Sequence, residues 1–224
     1  MAFRVLIIGG TGQVGSAVVK ALLDEPACTE VVMVVRKAIP PSANHRLGHM
    51  ILDTADAQFS DEVSKIVRNM ASVGDPVYGA SCVGVGKGSR SWSEEELKAL
   101  EIGVVGGFAR GCRAGGVDRF ALLSAAGSTA KSRIRYVRMM GFKEQAVEAV
   151  GFKRLAIFRP GIITGNVHTP GYIAWLGRFI PGPFGTIAQD DIGRAFAAEF
   201  ANSSVPRGVV HFDNAAMKHK SARR

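Results

Sequence analysis

The sequence predicts an α/β fold: a doubly wound, parallel sheet of about seven strands in a single domain. Three observations lead there. Short apolar, β-branched runs recur along the chain, helical segments separate them, and the first run ends in a glycine cluster that opens a helix. The size agrees, because 224 residues with 47% hydrophobic and 21% charged make one domain whose core needs no disulfide or structural metal.

The elements follow in order. Val5–Ile8 reads as a buried strand and residues 13–23 as an apolar-faced helix. Glu30–Val35 (EVVMVV) is a second strand and His49–Leu52 a short third. Residues 60–72 place Val63, Ile66, Val67 and Met70 at helical spacing, and a fourth strand runs through Pro76–Val83. Residues 93–113 form a helix opened by Ser93, with Glu94, Glu95 and Glu96 in a first turn where acids complement the dipole. Arg119–Ser124 is the fifth strand, 132–150 a long helix, and Arg154–Phe158 the sixth strand. A helix over 189–201 and a strand at Gly208–Phe212 close the pattern.

No Pro/Ser-rich linker divides the chain, so residues 1–214 are expected as one domain. The stretch 164–188 is rich in aromatics, Gly and Pro. It reads either as a short substrate-side lid walled by Tyr172, Trp175 and Phe179, or as plain core. Residues 215–224 are expected to be a disordered basic tail. Gly103, Gly107 and Gly111 recur every fourth residue, which suits close helix packing inside the domain or at a homodimer interface.

The net charge is +9, and Lys218, Lys220, Arg223 and Arg224 supply four of the cations. This basicity suits a multiply anionic cofactor. Nucleic acid is disfavoured, because aromatics do not interleave with the basic residues and no recognition motif appears. Three cysteines without a CxxC pair fit a reducing compartment, and five scattered histidines argue against a metal site. No run approaches the ~20 apolar residues of a membrane span. The four apolar residues Val5–Ile8 before the glycines are too few for a secretory leader, so a cytoplasmic location is expected.

The strongest motif is IIGGTGQVGSAVV, which sets Gly9, Gly12 and Gly15 in a G-x-x-G-x-x-G pattern between strand and helix. The glycines allow a tight turn, close approach of backbone N–H groups to a pyrophosphate, and close helix–strand packing. The helix N-terminus adds partial positive charge. The expected contact loop is Gly9, Thr11, Gly12, Gln13, Val14 and Gly15, in a Rossmann-like dinucleotide site. A rival phosphate loop at Gly86-Lys87-Gly88-Ser89 fails, since Ser81 and Gly88 stand where such a loop needs glycine and Ser/Thr. The second strand ends VVMVVRK, with Arg36 and Lys37 where an NAD site has an acid. The expected cofactor is therefore NADP(H) in preference to NAD(H).

GGTGQVG, RFALLSAAGS, a Tyr twelve residues after its Ser, and FRPG together resemble the short-chain dehydrogenase/reductase superfamily. Within it the chain is similar to the small atypical members of the NAD(P)-binding, Tat-interacting-protein type, over roughly residues 3–200. The resemblance implies a nicotinamide cofactor, with Ser124 in the serine role and Tyr136 as acid/base beside the cofactor. It implies that Asp53 lies near the adenine and that Arg159, Pro160 and Gly161 border the nicotinamide. It also implies that the loop from Cys82 through Val83 and Gly84 to Gly86 passes the ribose. The activity implied is hydride transfer to or from a small carbonyl or alcohol substrate.

One departure matters. The superfamily pattern Y-x-x-x-K reads Tyr136-Val-Arg-Met-Met140, so the lysine that favours the phenolate is absent. Lys143 lies on the same helical line, inside an apolar stripe and about 10.5 Å beyond Tyr136 along the axis. It either substitutes for the missing lysine or snorkels to solvent. Met140 also keeps open a second expectation: a catalytically weak NADP(H)-binding redox sensor, similar to the NmrA-type regulators.

Overall fold

The computed structural model describes residues 1–84, 92–165, 180 and 182–222. Its strands are β1 (Phe3–Ile8), β2 (Cys28–Val35), β3 (Leu47–Ile51), β4 (Val77–Ser81), β5 (Arg119–Leu123), β6 (Arg154–Phe158), β7 (Ile162–Thr164), β8 (Thr186–Ala188) and β9 (Gly208–Phe212). Its helices are α1 (Gln13–Leu23), α2 (Phe59–Ala71), α3 (Glu94–Lys98), α4 (Val105–Gly115), α5 (Arg135–Glu148), α6 (Gln189–Ala201) and α7 (Asn214–Ser221).

Among the described residues, seven strands form a parallel sheet in the order β3-β2-β1-β4-β5-β6-β9. This is the doubly wound, single-domain arrangement the sequence predicts. Alternation along each strand divides the core in two. Val5 and Ile7 of β1, with Val31, Met33 and Val35 of β2, meet α1 and α6 through Val18, Leu22, Ile192 and Phe196. Leu6 and Ile8, with Val32 and Val34, meet α2 and α4 through Val63, Val67, Phe108 and Cys112. Burial on both faces explains why the strands read as continuous apolar runs. The strand order reverses at β1 and β4, and ligands of open α/β sheets bind in the crevice at such a point.

Of the glycines at four-residue spacing, Gly107 and Gly111 pack against α2 within the domain, whereas Gly103 is exposed. A Cβ on Gly111 would lie 2.4 Å from the Ser60 carbonyl oxygen, and one on Gly115 would lie 2.6 Å from the Val67 Cβ. These glycines let α4 lie directly on α2.

The predicted helix 93–113 is interrupted. Ser93 and Glu96 form a capping box, Ser93 N–H donating to Glu96 Oε2 at 2.7 Å and Glu96 N–H to Ser93 Oγ at 3.1 Å. After α3, however, Ala99–Val104 winds as a π-helix before α4 begins. The expected lid falls mostly outside the described residues, Tyr172, Trp175 and Phe179 included, as does the loop Gly86–Ser89. The ends of the lid are brought together by β7 and β8, which pair Ile163 with Ile187.

The basic tail is corrected: residues through Ser221 form α7 rather than a frayed end. Asp213 caps it, accepting from Ala216 N–H at 2.9 Å, and Met217 is fully buried. Lys220 pairs with Glu199 at 2.7 Å, and Arg154 reaches the same carboxylate at 2.8 Å. A charge count cannot foresee this, because the carboxylate that organises the cations lies on α6.

Candidate functional site

The site begins where β1 ends. Gly9 has φ +79°, and a Cβ there would lie 2.6 Å from the Cys82 carbonyl carbon. Gly12 N–H donates to Gly9 O at 3.1 Å, closing the turn. Gly12 is also the N-cap of α1 and offers no side-chain acceptor to the first-turn N–H groups. Those groups are therefore positioned for an outside anion. Val14 packs into the core, and the buried Oε1 of Gln13 has no hydrogen-bond partner among the described residues.

A cleft of about 220 Å³ lies at the β1–β4 switch point. Gly9, Thr11 and Gly12 line it from the glycine loop, and Cys82, Val83 and Gly84 from the segment after β4. Val34 and Val35 line it from β2 and Arg36 from just beyond, with Leu100 and Val104 contributed by the π-helix. Of the residues expected at the cofactor, the cleft thus gathers Gly9, Thr11, Gly12, Arg36, Cys82, Val83 and Gly84, and the others lie outside its lining. A larger hollow of about 520 Å³ lies between α6 and α7, but none of its lining comes from the glycine loop.

At the end of the cleft beside β2 the expected residues separate. Arg36 is exposed and faces the cleft, whereas Lys37 is outside its lining. Asp53 is occupied locally, its Oδ1 accepting from Ala55 N–H at 2.9 Å, and Thr54 lines the cleft instead.

Ser124 sits at the end of β5, buried, with its Oγ 3.1 Å from Ser128 Oγ. Ser128 Oγ in turn donates to Ala125 O at 2.6 Å. Tyr136 occupies the first turn of α5, packed on a small cluster of Leu97, Met139 and Met140. Burial, and next the Glu101 charge, push its phenol up to about 12. Burial likewise pushes the Cys82 thiol to about 12, which leaves it unreactive at neutral pH.

Lys143 neither snorkels nor turns to a solvent edge. It is 1% exposed, and its Nζ donates to Glu101 Oε2 at 2.9 Å and to Val83 O at 3.3 Å. Glu101, fully buried in the π-helix, is the site residue that sequence reasoning misses. A signal was present: Leu97, Glu101 and Val105 follow one another at four-residue spacing, so a carboxylate interrupts an apolar stripe just as Lys143 does.

The segment after β6 borders Ser124 rather than the cleft lining. Pro160 O accepts from Ala126 N–H at 2.8 Å. Arg159 makes a two-pronged contact with Glu144, Nε to Oε1 at 2.9 Å and Nη2 to Oε2 at 2.5 Å. Gly161 N–H donates to Asn214 Oδ1 at 3.0 Å, and Asn214 Nδ2 donates to Gly185 O at 2.8 Å. Among the described residues no group of three His, Cys, Asp or Glu could hold a metal ion, and no helix is long and apolar enough to cross a membrane.

Comparison with known proteins agrees with this geometry. The model of the NAD dependent epimerase/dehydratase family matches residues 5–132, from β1 through the Ser124 loop. "Protein fmp52, mitochondrial" of Aspergillus fumigatus is 32% identical over 185 residues, covering 82% of this chain and 76% of that protein. "Protein FMP52, mitochondrial" of Candida albicans is 30% identical over 211 residues, covering 89% and 88%. Among solved structures, the oxidoreductase ylbE from Lactococcus lactis superposes with a TM-score of 0.69 at 15% identity, covering 97% of this chain and 96% of that one. UDP-glucuronic acid 4-epimerase from Bacillus cereus, solved with UDP-glucuronic acid and NAD, gives 0.66 at 17% identity over 94% and 77%. These structures share the fold, and the expected short-chain dehydrogenase/reductase kinship is borne out. The expectation of a cytoplasmic location is overturned, since the curated relatives are named as mitochondrial proteins.

Proposed function

The chain belongs to the NAD dependent epimerase/dehydratase family, and from that premise we propose that it is an NADP(H)-dependent oxidoreductase acting on a small carbonyl or alcohol. One observation supports this above the others: a glycine cradle, with no room for a Cβ at Gly9 or Gly15, opens into a cleft that Arg36 faces. A dinucleotide fits those residues. The N–H groups of the first turn of α1 would hold its pyrophosphate, Cys82–Gly84 its ribose side, and Arg36 a 2′-phosphate. When bound, a nicotinamide supplies hydride transfer.

The remaining chemistry falls to this chain. Ser124, oriented by Ser128, would hold the substrate oxygen, while Tyr136 would hold the exchangeable proton on its phenol oxygen. A phenol pushed up to about 12 is fully protonated at neutral pH and serves better as a proton donor than as a base. We place the protein at mitochondria, by analogy with its curated relatives.

Titration with NADPH and NADH, followed by nicotinamide fluorescence, tests the reading. NADPH-selective binding supports it, and absence of binding by either nucleotide removes it. A second reading, a catalytically weak NADP(H)-binding regulator, is favoured by buried Met140 in the lysine position and by the elevated Tyr136. Met140→Lys separates the two. Raised turnover of aldehydes or quinones indicates a weakened enzyme, whereas no turnover in either form supports the regulator.

A further inference from the structure

We infer that Glu101 and Lys143 are a positioning pair that fixes the wall of the cleft after β4, Lys143 acting through the Val83 carbonyl and Glu101 holding the amine there. The inference rests on the oxidoreductase reading and adds a role for two residues that lie outside the cleft lining.

Four observations converge. Both side chains are buried, 1% and 0% exposed, in a contact of 2.9 Å. Removing two charges from water is costly, and apolar residues of similar volume would hold this space at least as well. Stability alone therefore gives a poor reason for the pair. The second contact of Lys143 is the carbonyl of a cleft-lining residue, Val83, at 3.3 Å. Glu101 Oε1 lies 3.9 Å from where a Gly84 Cβ would be, so both members of the pair approach the same backbone. Glu101 itself stands in a π-helical turn whose neighbours Leu100 and Val104 line the cleft, and such turns concentrate at functional sites. Finally, Lys143 lies three residues beyond Met140 on the helix that bears Tyr136. The cation has moved about one helical turn from the superfamily position, and its new contact is the loop.

The pair reaches the Val83–Gly84 side of the cleft, whereas Arg36 lines it from just after β2, so probes of different length test the two ends. The test compares the wild-type chain with Glu101→Leu/Lys143→Met, in which both charges leave together and no lone charge remains to unfold the protein. Lys143→Met alone serves as the harsher companion. Thermal unfolding checks the fold, and titrations use the whole preferred cofactor and its adenosine half (2′,5′-ADP or ADP). We expect the double variant to melt at or above the wild-type temperature. Its affinity for the whole cofactor should fall about tenfold or more, with the adenosine half changed by less than about twofold. Equal losses for both probes would mean general damage and overturn the inference, as would unchanged affinity for the whole cofactor. A wild-type chain that binds neither probe would overturn the oxidoreductase reading and this inference with it. A wild type that binds and a double variant that binds equally well would remove the inference alone.

Discussion

A methyl group on Gly15 would sit 2.0 Å from the carbonyl oxygen of Gly9, far inside van der Waals contact. The first turn of α1 therefore lies directly on the end of β1. Gly15→Ala should cost about 1–3 kcal/mol, read by urea unfolding, because backbone has to move. Gly12→Ala is the control, since its Cβ meets Gly9 O at 3.3 Å and a small shift suffices. Equal stabilities for the two variants would show that the turn relaxes freely.

Arg36 faces the cleft and Lys37 does not. Arg36→Ala should lower the preference for NADPH over NADH by about tenfold or more, the worth of one charge-assisted phosphate contact. Lys37→Ala should leave the ratio nearly unchanged. An unaltered ratio in the Arg36 variant refutes the 2′-phosphate assignment.

Tyr136 has a signature in alkali. Its phenol is pushed up to about 12 by burial and by the Glu101 charge, whereas an unfolded tyrosine ionises near 10. A raised folded value means that the stabilising effect is complete below about pH 10 and fades as pH rises toward 12. Tyrosinate absorbance should show a late-titrating component that Tyr136→Phe removes, and the same variant should flatten the alkaline decline of stability between those limits. A Tyr136 that ionises at the ordinary phenol value near 10 would contradict the buried geometry.

Glu199 organises the last helix by receiving Arg154 and Lys220 on one buried carboxylate. Glu199→Gln leaves two cations short of a partner and should cost about 3–5 kcal/mol in denaturant unfolding. It should also open α7 to trypsin at Lys218. Lys220→Ala should cost less, because Lys220 is partly exposed and Arg154 keeps its partner.

Gly111 tests where the α4 glycine stripe is used. Gly111→Val drives Cγ atoms into Ser60 and Val63 and should destabilise the monomeric fold strongly. Light scattering should show no dissociation to a smaller species below the unfolding transition; a stable variant of halved mass would place the stripe at an interface between copies instead.

What could be read from the chain follows the range of the forces involved. The central strands were legible because each is short, apolar and buried on both faces, and Val5–Ile8 needed only extension to Phe3, which pairs with Cys28. The glycine loop and Arg36 were legible because backbone sterics and strand-to-helix spacing are local properties. The strands β7 and β8 were not, since three residues each are too few to display a period. The π-helical turn was hidden because an apolar stripe through Leu97 and Val105 reads equally well as one unbroken α-helix. Asp53 satisfied the pattern for an adenine contact but closes its own turn, a competition that short acidic side chains often win locally. The partnership of Glu101 with Lys143 joins two helices distant in sequence, and each charge alone announced only that it needed a partner.

Asn214 ties two distant parts of the fold, the Gly161 amide and the Gly185 carbonyl, through one buried amide side chain. This gives the molecule a timetable. During synthesis β1, α1 and β2 leave the ribosome first, and the glycine turn gains its packing partner once Cys82 has followed. The border beside Ser124 waits for a residue translated near the finish. Premature termination upstream of Asn214 would leave the Gly161 amide and the Gly185 carbonyl without the side chain that joins them.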